Sequence, residues 1–346
     1  MRHIRLTPAA LAFLLLSPIP APAAPAAPAA PAAAPAPAAG EKPSEASLRL
    51  DRASLASRTG DRKAALAALA EAETLSPSPI VLRAIALMYQ EVNEYPRARE
   101  IVKTMLKASP KDVRLLIDLA SIETRADDRD NAVKSLLAAR ALKPDAVERQ
   151  RMVRLYLHLK EHAAAKSLLD ALIKETPANA GLRLDRAALS AQLGETKAAL
   201  ALLAEARPLA AERAELHRMA IIHQQLKDYA GALALLEPLA KDKPEAAILG
   251  DLGVCKHLAG RSDEAVADLE AAIKLDAKLL PAYLTLGSIY AGRKEFVREL
   301  AVYQAAPPSG GDPVLQGLLL QSRKEAAAHA APPAPEPKTP ETPTVK

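Results

Sequence analysis

Small and aliphatic residues recur along this chain with a period of 33 or 34 residues. Alanines mark the period at Ala65, Ala98, Ala132, Ala165, Ala199, Ala232 and Ala265. Four residues after each alanine stands an aliphatic side chain: Leu69, Val102, Leu136, Leu169, Leu203, Leu236 and Leu269. Twelve residues before each stands a small residue or valine: Ala53, Ala86, Ala120, Val153, Ala187, Ala220 and Gly253. Residues four positions apart share one face of a helix, so each copy predicts two amphipathic helices joined by a short turn.

Prolines follow the same period. Twelve residues after five of the seven marker alanines stands a proline: Pro77, Pro110, Pro144, Pro177 and Pro244. Alanine is abundant in this chain and would recur by chance, but a proline at a fixed offset would not. Proline cannot continue the helix before it and biases the preceding residue away from helix, so it ends each unit. A fixed period near 34 residues predicts a solenoid, in which neighbouring helix pairs bury each other's apolar faces.

Two successive copies carry a spacing that resembles the tetratricopeptide repeat: Gly253, Ala265, Leu269 and Ala272, then Tyr283, Leu286, Gly287 and Tyr290. The resemblance covers residues 46–306 in about eight copies. It implies an all-α fold, an α-solenoid wound as a right-handed superhelix of helix-turn-helix repeats. In this family the first helices of successive repeats line a concave groove, which holds a peptide or a segment of a partner protein.

The N-terminal segment has the composition of a targeting sequence. Residues 1–23 combine basic residues at the start, the short apolar run Ala9–Leu16 and a small-residue "APA" stretch ending at Ala23, which predicts a signal peptide cleaved near Ala23. The apolar run is far shorter than the roughly 20 residues of a membrane-spanning helix. The alternative is an Ala/Pro-rich arm that is not cleaved. Residues 24–45 are predicted to be an extended Ala/Pro-rich linker.

The C-terminal segment departs from the repeat pattern. Residues 307–330 are predicted to contain a capping helix, with Asp312 as its N-cap and Pro313 at its first position. An apolar first half and a polar second half favour a cap that solvates the end of the array. The alternative is a helix that docks a partner. Residues 331–346 are Pro-rich and predicted to be disordered.

Composition and charge narrow the possible functions. Half of the 346 residues are apolar, yet only seven tyrosines and two phenylalanines are aromatic, so the predicted core consists of alanine and leucine. The 46 basic and 41 acidic residues leave a formal net charge of +5. This modest excess, without clustering of Lys and Arg, argues against a nucleic-acid partner.

The sequence offers little catalytic or metal-binding chemistry. It has no glycine-rich phosphate loop, no HExxH and no CxxC pair. Cys255 is the only cysteine, so no internal disulfide forms, and we predict a buried, inert thiol. His158 and His162 have a spacing that binds metal within one helix, but the repeat pattern puts a turn between them, which favours a packing role. We therefore predict a protein that is not an enzyme and has no metal or cofactor.

The family resemblance assigns candidate partner-binding residues to the groove: Arg83, Gln90, Arg125, Gln150, Arg154, His158, Gln192, His217, Gln224, Gln225 and His257. Arginine suits bidentate contacts with carboxylates, so an acidic or C-terminal partner segment near Arg83, Arg125 and Arg154 is one hypothesis. The alternative is that these arginines only solvate an open face. Repeats that hold the acidic C-termini of heat-shock chaperones use a Lys and Asn clamp, and the corresponding positions here contain no asparagine.

The leading functional prediction is an exported, periplasmic or secreted scaffold for protein–protein interaction that helps assemble a cell-envelope complex. One alternative is an accessory subunit of a polysaccharide synthesis or export system. Another is a cytosolic adaptor with an uncleaved N-terminal arm. The sequence predicts no transmembrane segment, and it leaves the partner and the oligomeric state open.

Overall fold

The computed structural model describes residues 44–307 and 313–330. These residues form 17 α-helices and no strand. In chain order the helices are α1 Glu45–Arg58, α2 Arg62–Thr74, α3 Pro79–Glu91, α4 Tyr95–Ala108, α5 Val113–Arg125, α6 Arg129–Ala141, α7 Ala146–His158, α8 His162–Glu175, α9 Ala180–Gln192, α10 Thr196–Ala206, α11 Arg213–Gln225, α12 Tyr229–Asp242, α13 Ala246–Leu258, α14 Ser262–Leu275, α15 Leu280–Gly292, α16 Phe296–Ala305 and α17 Pro313–Ala330.

Helices α1 to α16 form eight antiparallel pairs, and each pair is one repeat of the sequence period. The described residues divide into two compact units, an N-terminal unit of residues 44–209 and a C-terminal unit of residues 210–330. The predicted all-α solenoid of helix-turn-helix repeats is confirmed. The predicted signal peptide, most of the predicted linker and the predicted tail lie outside the described residues.

Close approach of the two helices in a pair explains the recurring small residues. All seven marker alanines are fully buried. In the seventh repeat, a Cβ atom added to Gly253 would lie 2.6 Å from Leu269 Cγ and 3.2 Å from the Ala265 carbonyl oxygen. In the eighth repeat, a Cβ atom on Gly287 would overlap the ring of Tyr303. The crossing positions are therefore small because a larger side chain has no room there.

The turn inside every repeat contains one residue in the left-handed backbone region. It stands seven residues after the small residue of the first helix, with φ between 58° and 84°. The eight residues are Gly60, Asn93, Asp127, Lys160, Gly194, Lys227, Gly260 and Lys294. A left-handed residue after the last helical turn satisfies the free carbonyl groups there and reverses the chain. Glycine adopts this conformation without strain, whereas lysine does not.

Helix α17 covers the last repeat. Leu319 and Ala326 are buried with Tyr303 and Ala306 in one apolar cluster. Arg323 donates hydrogen bonds from Nε to the Tyr303 carbonyl oxygen (2.7 Å) and from Nη2 to the Ala306 carbonyl oxygen (2.9 Å). These carbonyl groups stand at the end of α16, where no further helical turn supplies N–H groups to donate to them. Helix α17 therefore caps α16 both by apolar packing and by hydrogen bonding.

Candidate functional site

The first helices of successive repeats contact each other directly within each unit. This holds for α1, α3, α5 and α7 in the N-terminal unit and for α11, α13 and α15 in the C-terminal unit. Side chains cross from one first helix to the next, as from Arg83 on α3 to Asp118 on α5 and from His217 on α11 to Asp251 on α13. We call the surface formed by these first helices the inner row. It contains all the predicted partner-binding residues except Gln192, which lies on α9.

A fully buried carboxylate organises the inner row of the N-terminal unit. Arg83 donates from Nε to Asp118 Oδ2 at 2.5 Å, and Arg151 donates from Nη2 to Asp118 Oδ1 at 2.6 Å. Asp118 is inaccessible to solvent, whereas both arginines are partly exposed. The hydrogen bond to Asp118 raises the pKa of Arg83 above its ordinary value, against the effect of burial. The chain therefore uses Arg83, a predicted partner-binding residue, to neutralise its own aspartate.

Two predicted groove residues lie in the interior. Gln90 is buried and donates from Nε2 to Ser121 Oγ at 2.9 Å, which joins α3 to α5. Its Oε1 atom is buried without a partner among the described residues. Gln224 on α11 is also buried. Each glutamine stands four residues after the buried small residue of its helix, Ala86 or Ala220.

Four predicted residues on three successive first helices are exposed: Arg125 on α5, Arg154 and His158 on α7, and Gln192 on α9. Within the described part of the chain, none of the four makes a hydrogen bond or an ion pair. Loss of hydration lowers the pKa of Arg154, Arg151 lowers it further, and Asp185 raises it. Its guanidinium remains charged near neutral pH because the ordinary pKa of arginine is above 12. Gln150, earlier on α7, is half-buried.

The predicted residues of the C-terminal unit are mostly engaged by their own chain. His217 Nε2 lies 2.7 Å from Asp251 Oδ2. His257 Nδ1 lies 2.9 Å from Ser262 Oγ, and burial lowers the pKa of His257. Gln225 is half-buried. The inner row of this unit therefore presents fewer available polar groups than that of the N-terminal unit.

The residues with potential redox or metal-binding chemistry are Cys255, His158 and His162. Cys255 is fully buried, and its burial, with a contribution from Asp251, raises the pKa of the thiol to about 12. His158 ends α7 and His162 begins α8, with the left-handed Lys160 between them, as the repeat pattern predicts. The described residues contain no group of three His, Cys, Asp or Glu side chains placed to hold a metal ion. None of the described helices is both long and apolar enough to cross a membrane.

Residues 246–279, which contain all of α13 and α14, match the family model of the tetratricopeptide repeat. The same helix-pair geometry is repeated through the array. The seventh helix pair is a tetratricopeptide repeat. No curated protein matches its sequence.

Solved structures of tetratricopeptide repeat proteins share the fold at low sequence identity. A tetratricopeptide repeat protein from Parabacteroides merdae is similar with a TM-score of 0.55 and 18% identity, over 70% of this chain and 97% of that one. Yeast Tom70 has a TM-score of 0.55 and 15% identity, over 83% of this chain and 65% of that one. The C-terminal part of a repeat protein from Cytophaga hutchinsonii has a TM-score of 0.51 and 13% identity, over 72% and 99% of the two chains.

The tetratricopeptide repeats contain a functional pattern that the sequence analysis missed. Two residues before the small residue, five successive copies alternate in charge: Asp118, Arg151, Asp185, Arg218 and Asp251. Within the N-terminal unit, the first two of these residues, Asp118 and Arg151, face each other across the inner row. Reading charge sign by repeat position, rather than counting charges over the chain, would have found this pair.

Proposed function

We propose that this tetratricopeptide repeat protein is a non-enzymatic scaffold that binds a partner segment along the inner row of its N-terminal unit. Tetratricopeptide repeat proteins are generally non-catalytic and serve protein–protein interaction. One observation carries the choice of surface: Arg125, Arg154, His158 and Gln192 are exposed, lie on three successive repeats and make no hydrogen bond or ion pair within the described part of the chain. Glu91 and Asp185 act on Arg125 and Arg154 only at longer range. Polar side chains left available in this way can bind another molecule without first breaking internal contacts.

The chemistry of these four side chains favours an acidic partner segment. Arg125 and Arg154 each offer a planar guanidinium, which forms bidentate hydrogen bonds with a carboxylate. His158 and Gln192 add neutral hydrogen-bonding groups beside them. Arg83, which the sequence pattern also favoured, is bound to Asp118 and contributes little to this preference. The acidic recognition proposed here therefore depends on the last turns of α5 and α7, not on α3.

The proposed setting of this interaction is the cell envelope. The support is the N-terminal sequence, in which basic residues, an apolar run and a small-residue site occur in the order of a signal peptide. The N-terminal residue of the protein purified from its native cells tests this. A mature protein that begins close to residue 24 supports export, and an intact N-terminus favours the cytosolic adaptor.

Charge reversal tests the inner-row interaction. The wild-type protein, Arg154→Glu and Arg125→Glu serve as baits for crosslinked capture from native cells, with Arg207→Glu as a matched control. Arg207 is an exposed arginine after α10 and lies outside the inner row. Partners lost with both inner-row variants and kept with the control are the expected result. Partners kept with all three variants would contradict binding at the inner row.

A further inference from the structure

Helices α1 and α9 contain nearly the same sequence in the same repeat position. Residues 48–55 read LRLDRASL and residues 182–189 read LRLDRAAL. The local structure is also shared, because Arg49 pairs with Glu71 and Arg183 pairs with Glu205, the same distance along each repeat. Differences between the two helices therefore come from their surroundings and not from their sequences.

In α9, the face that holds this sequence is covered by the preceding helix. Leu182 and Leu189 are buried in an apolar cluster with three leucines of α8. Between them, Arg186 is buried and donates from Nε to Asp170 Oδ1 of α8 at 2.9 Å. Arg186 also donates to Ser190 Oγ and lies 3.8 Å from Glu195 Oε2 within its own repeat. The preceding helix therefore covers this face with leucines and supplies one of the two carboxylates that neutralise the arginine.

In α1, the same face is uncovered. Leu48 is 48% exposed and Leu55 is 63% exposed. The side chain of Arg52, which corresponds to Arg186, is 66% exposed. Its ion pair with Glu71 is 4.0 Å long, because the same carboxylate is held by Arg49 at 2.8 Å. Two leucines seven residues apart and an arginine between them thus form an apolar face with an available cation.

The preceding part of the chain does not have the chemistry to cover this face. Residues 1–43 contain a single carboxylate, Glu41, which is only four residues from the start of α1 and too close to return along it as a helix. The apolar run Ala9–Leu16 contains no acidic residue, and from Pro18 onward prolines recur every few residues. Proline within a helix removes a hydrogen bond and clashes with the preceding turn. Residues 1–43 therefore do not offer an acidic amphipathic helix, and we look to another molecule for one.

We propose that the face formed by Leu48, Arg52 and Leu55 is a docking site for an amphipathic helix of a partner protein. The partner's apolar side chains contact the two leucines, and its aspartate or glutamate accepts a hydrogen bond from Arg52. In the proposed complex, the partner helix packs on α1 as α8 packs on α9, and its acidic residue takes the position that Asp170 has relative to the leucines of α8. This surface is separate from the exposed residues of the inner row, so the proposal does not rest on the function proposed above.

A peptide with the sequence of α8, residues 162–175, stapled to hold it helical, is the probe. Its fluorescence anisotropy is followed during titration with the full chain. We expect saturable binding that Arg52→Glu weakens by about tenfold, because a desolvated charged hydrogen bond is lost. A peptide carrying Asp170→Lys should bind the Arg52→Glu protein better than it binds the wild type. Absence of saturable binding, or equal binding by wild type and Arg52→Glu, would overturn the proposal.

Two controls separate docking from damage to the fold. Leu55→Glu changes a side chain that is already exposed, so it should abolish peptide binding and leave the unfolding curve unchanged. Arg58→Glu, an exposed arginine at the end of the same helix, should leave binding unchanged. Sedimentation equilibrium of the chain alone tests whether a second copy of the chain occupies this face instead of a partner helix. A dimer that Leu55→Glu dissociates would show that a second copy covers this face and would overturn the assignment to a partner helix.

Discussion

Asp118 in the N-terminal unit and Asp251 in the C-terminal unit occupy the same repeat position, yet their surroundings differ. Each accepts a hydrogen bond from the side chain that stands three residues before the small residue of the preceding repeat. For Asp118 that side chain is Arg83, and for Asp251 it is His217. Asp118 is 0% exposed, whereas Asp251 is 33% exposed.

The following repeat explains the difference in exposure. Arg151 provides Asp118 with a second charged donor, at 2.6 Å. The residue equivalent to Arg151 after Asp251 is Thr285, whose hydroxyl donates to the Pro281 carbonyl oxygen of its own helix. A carboxylate with two arginine donors can be fully desolvated, whereas Asp251, which pairs with His217, stays partly exposed to water. The two arginines that neighbouring repeats supply thus account for the complete burial of Asp118 in the inner row.

The first prediction, with the largest expected effect, concerns removal of the buried carboxylate of Asp118. Asp118→Ala leaves Arg83 and Arg151 facing each other without a counter-ion, and we expect a loss of about 3 kcal/mol in the free energy of unfolding. Urea denaturation followed by far-UV circular dichroism measures it. Asp130→Ala is the control, because Asp130 is an exposed aspartate on α6, and it should change stability by less than about 0.5 kcal/mol. Equal small losses for both variants would show that the buried group contributes no more than a surface charge.

The second prediction concerns the weaker pair. His217→Ala removes the histidine that pairs with Asp251, and because Asp251 is already partly exposed and can be hydrated, we expect a loss of about 1 kcal/mol or less in the free energy of unfolding. Cys255 provides a local measurement, because burial raises the pKa of its thiol to about 12 and labelling requires α13 to open. Thiol labelling at pH 8 should therefore become faster in His217→Ala.

The matched control for this variant is His158→Ala, which removes an exposed histidine of the other unit that makes no contact within the described part of the chain. Its labelling rate at Cys255 should equal that of the wild type. A loss in His217→Ala as large as that in Asp118→Ala would contradict the comparison, since it would mean that one histidine stabilises its aspartate as strongly as two arginines.

The repeat pattern predicted the helix pairs because it depends on side-chain volume alone. Ala265 and Gly253 are small wherever two helices cross, and this requirement is visible as a period in the sequence. The partner-binding residues were harder to predict. A family position shows which residues belong to the inner row, but whether Arg83 is available depends on Asp118, a residue 35 positions away in the next repeat. Gln90 was assigned to the surface and lies inside for the same reason: the neighbouring helix covers it.

The last and smallest prediction tests whether the two units differ only in their inner rows. Lys160 and Lys227 occupy the same left-handed turn position, one in each unit, with φ of 58° and 61°. Replacing either by glycine relieves backbone strain and costs some chain entropy, so we expect each change to stabilise its unit by about 0.5 kcal/mol. Urea denaturation measures both variants. Gly194→Ala is the converse control, because an added Cβ at Gly194 meets no atom within 4 Å, so its cost reports backbone strain less the gain in chain entropy, without a steric clash. If both variants gain a similar free energy of unfolding, the two units differ in their carboxylate pairs and not in their turns. A gain in one unit only would show that their turns also differ.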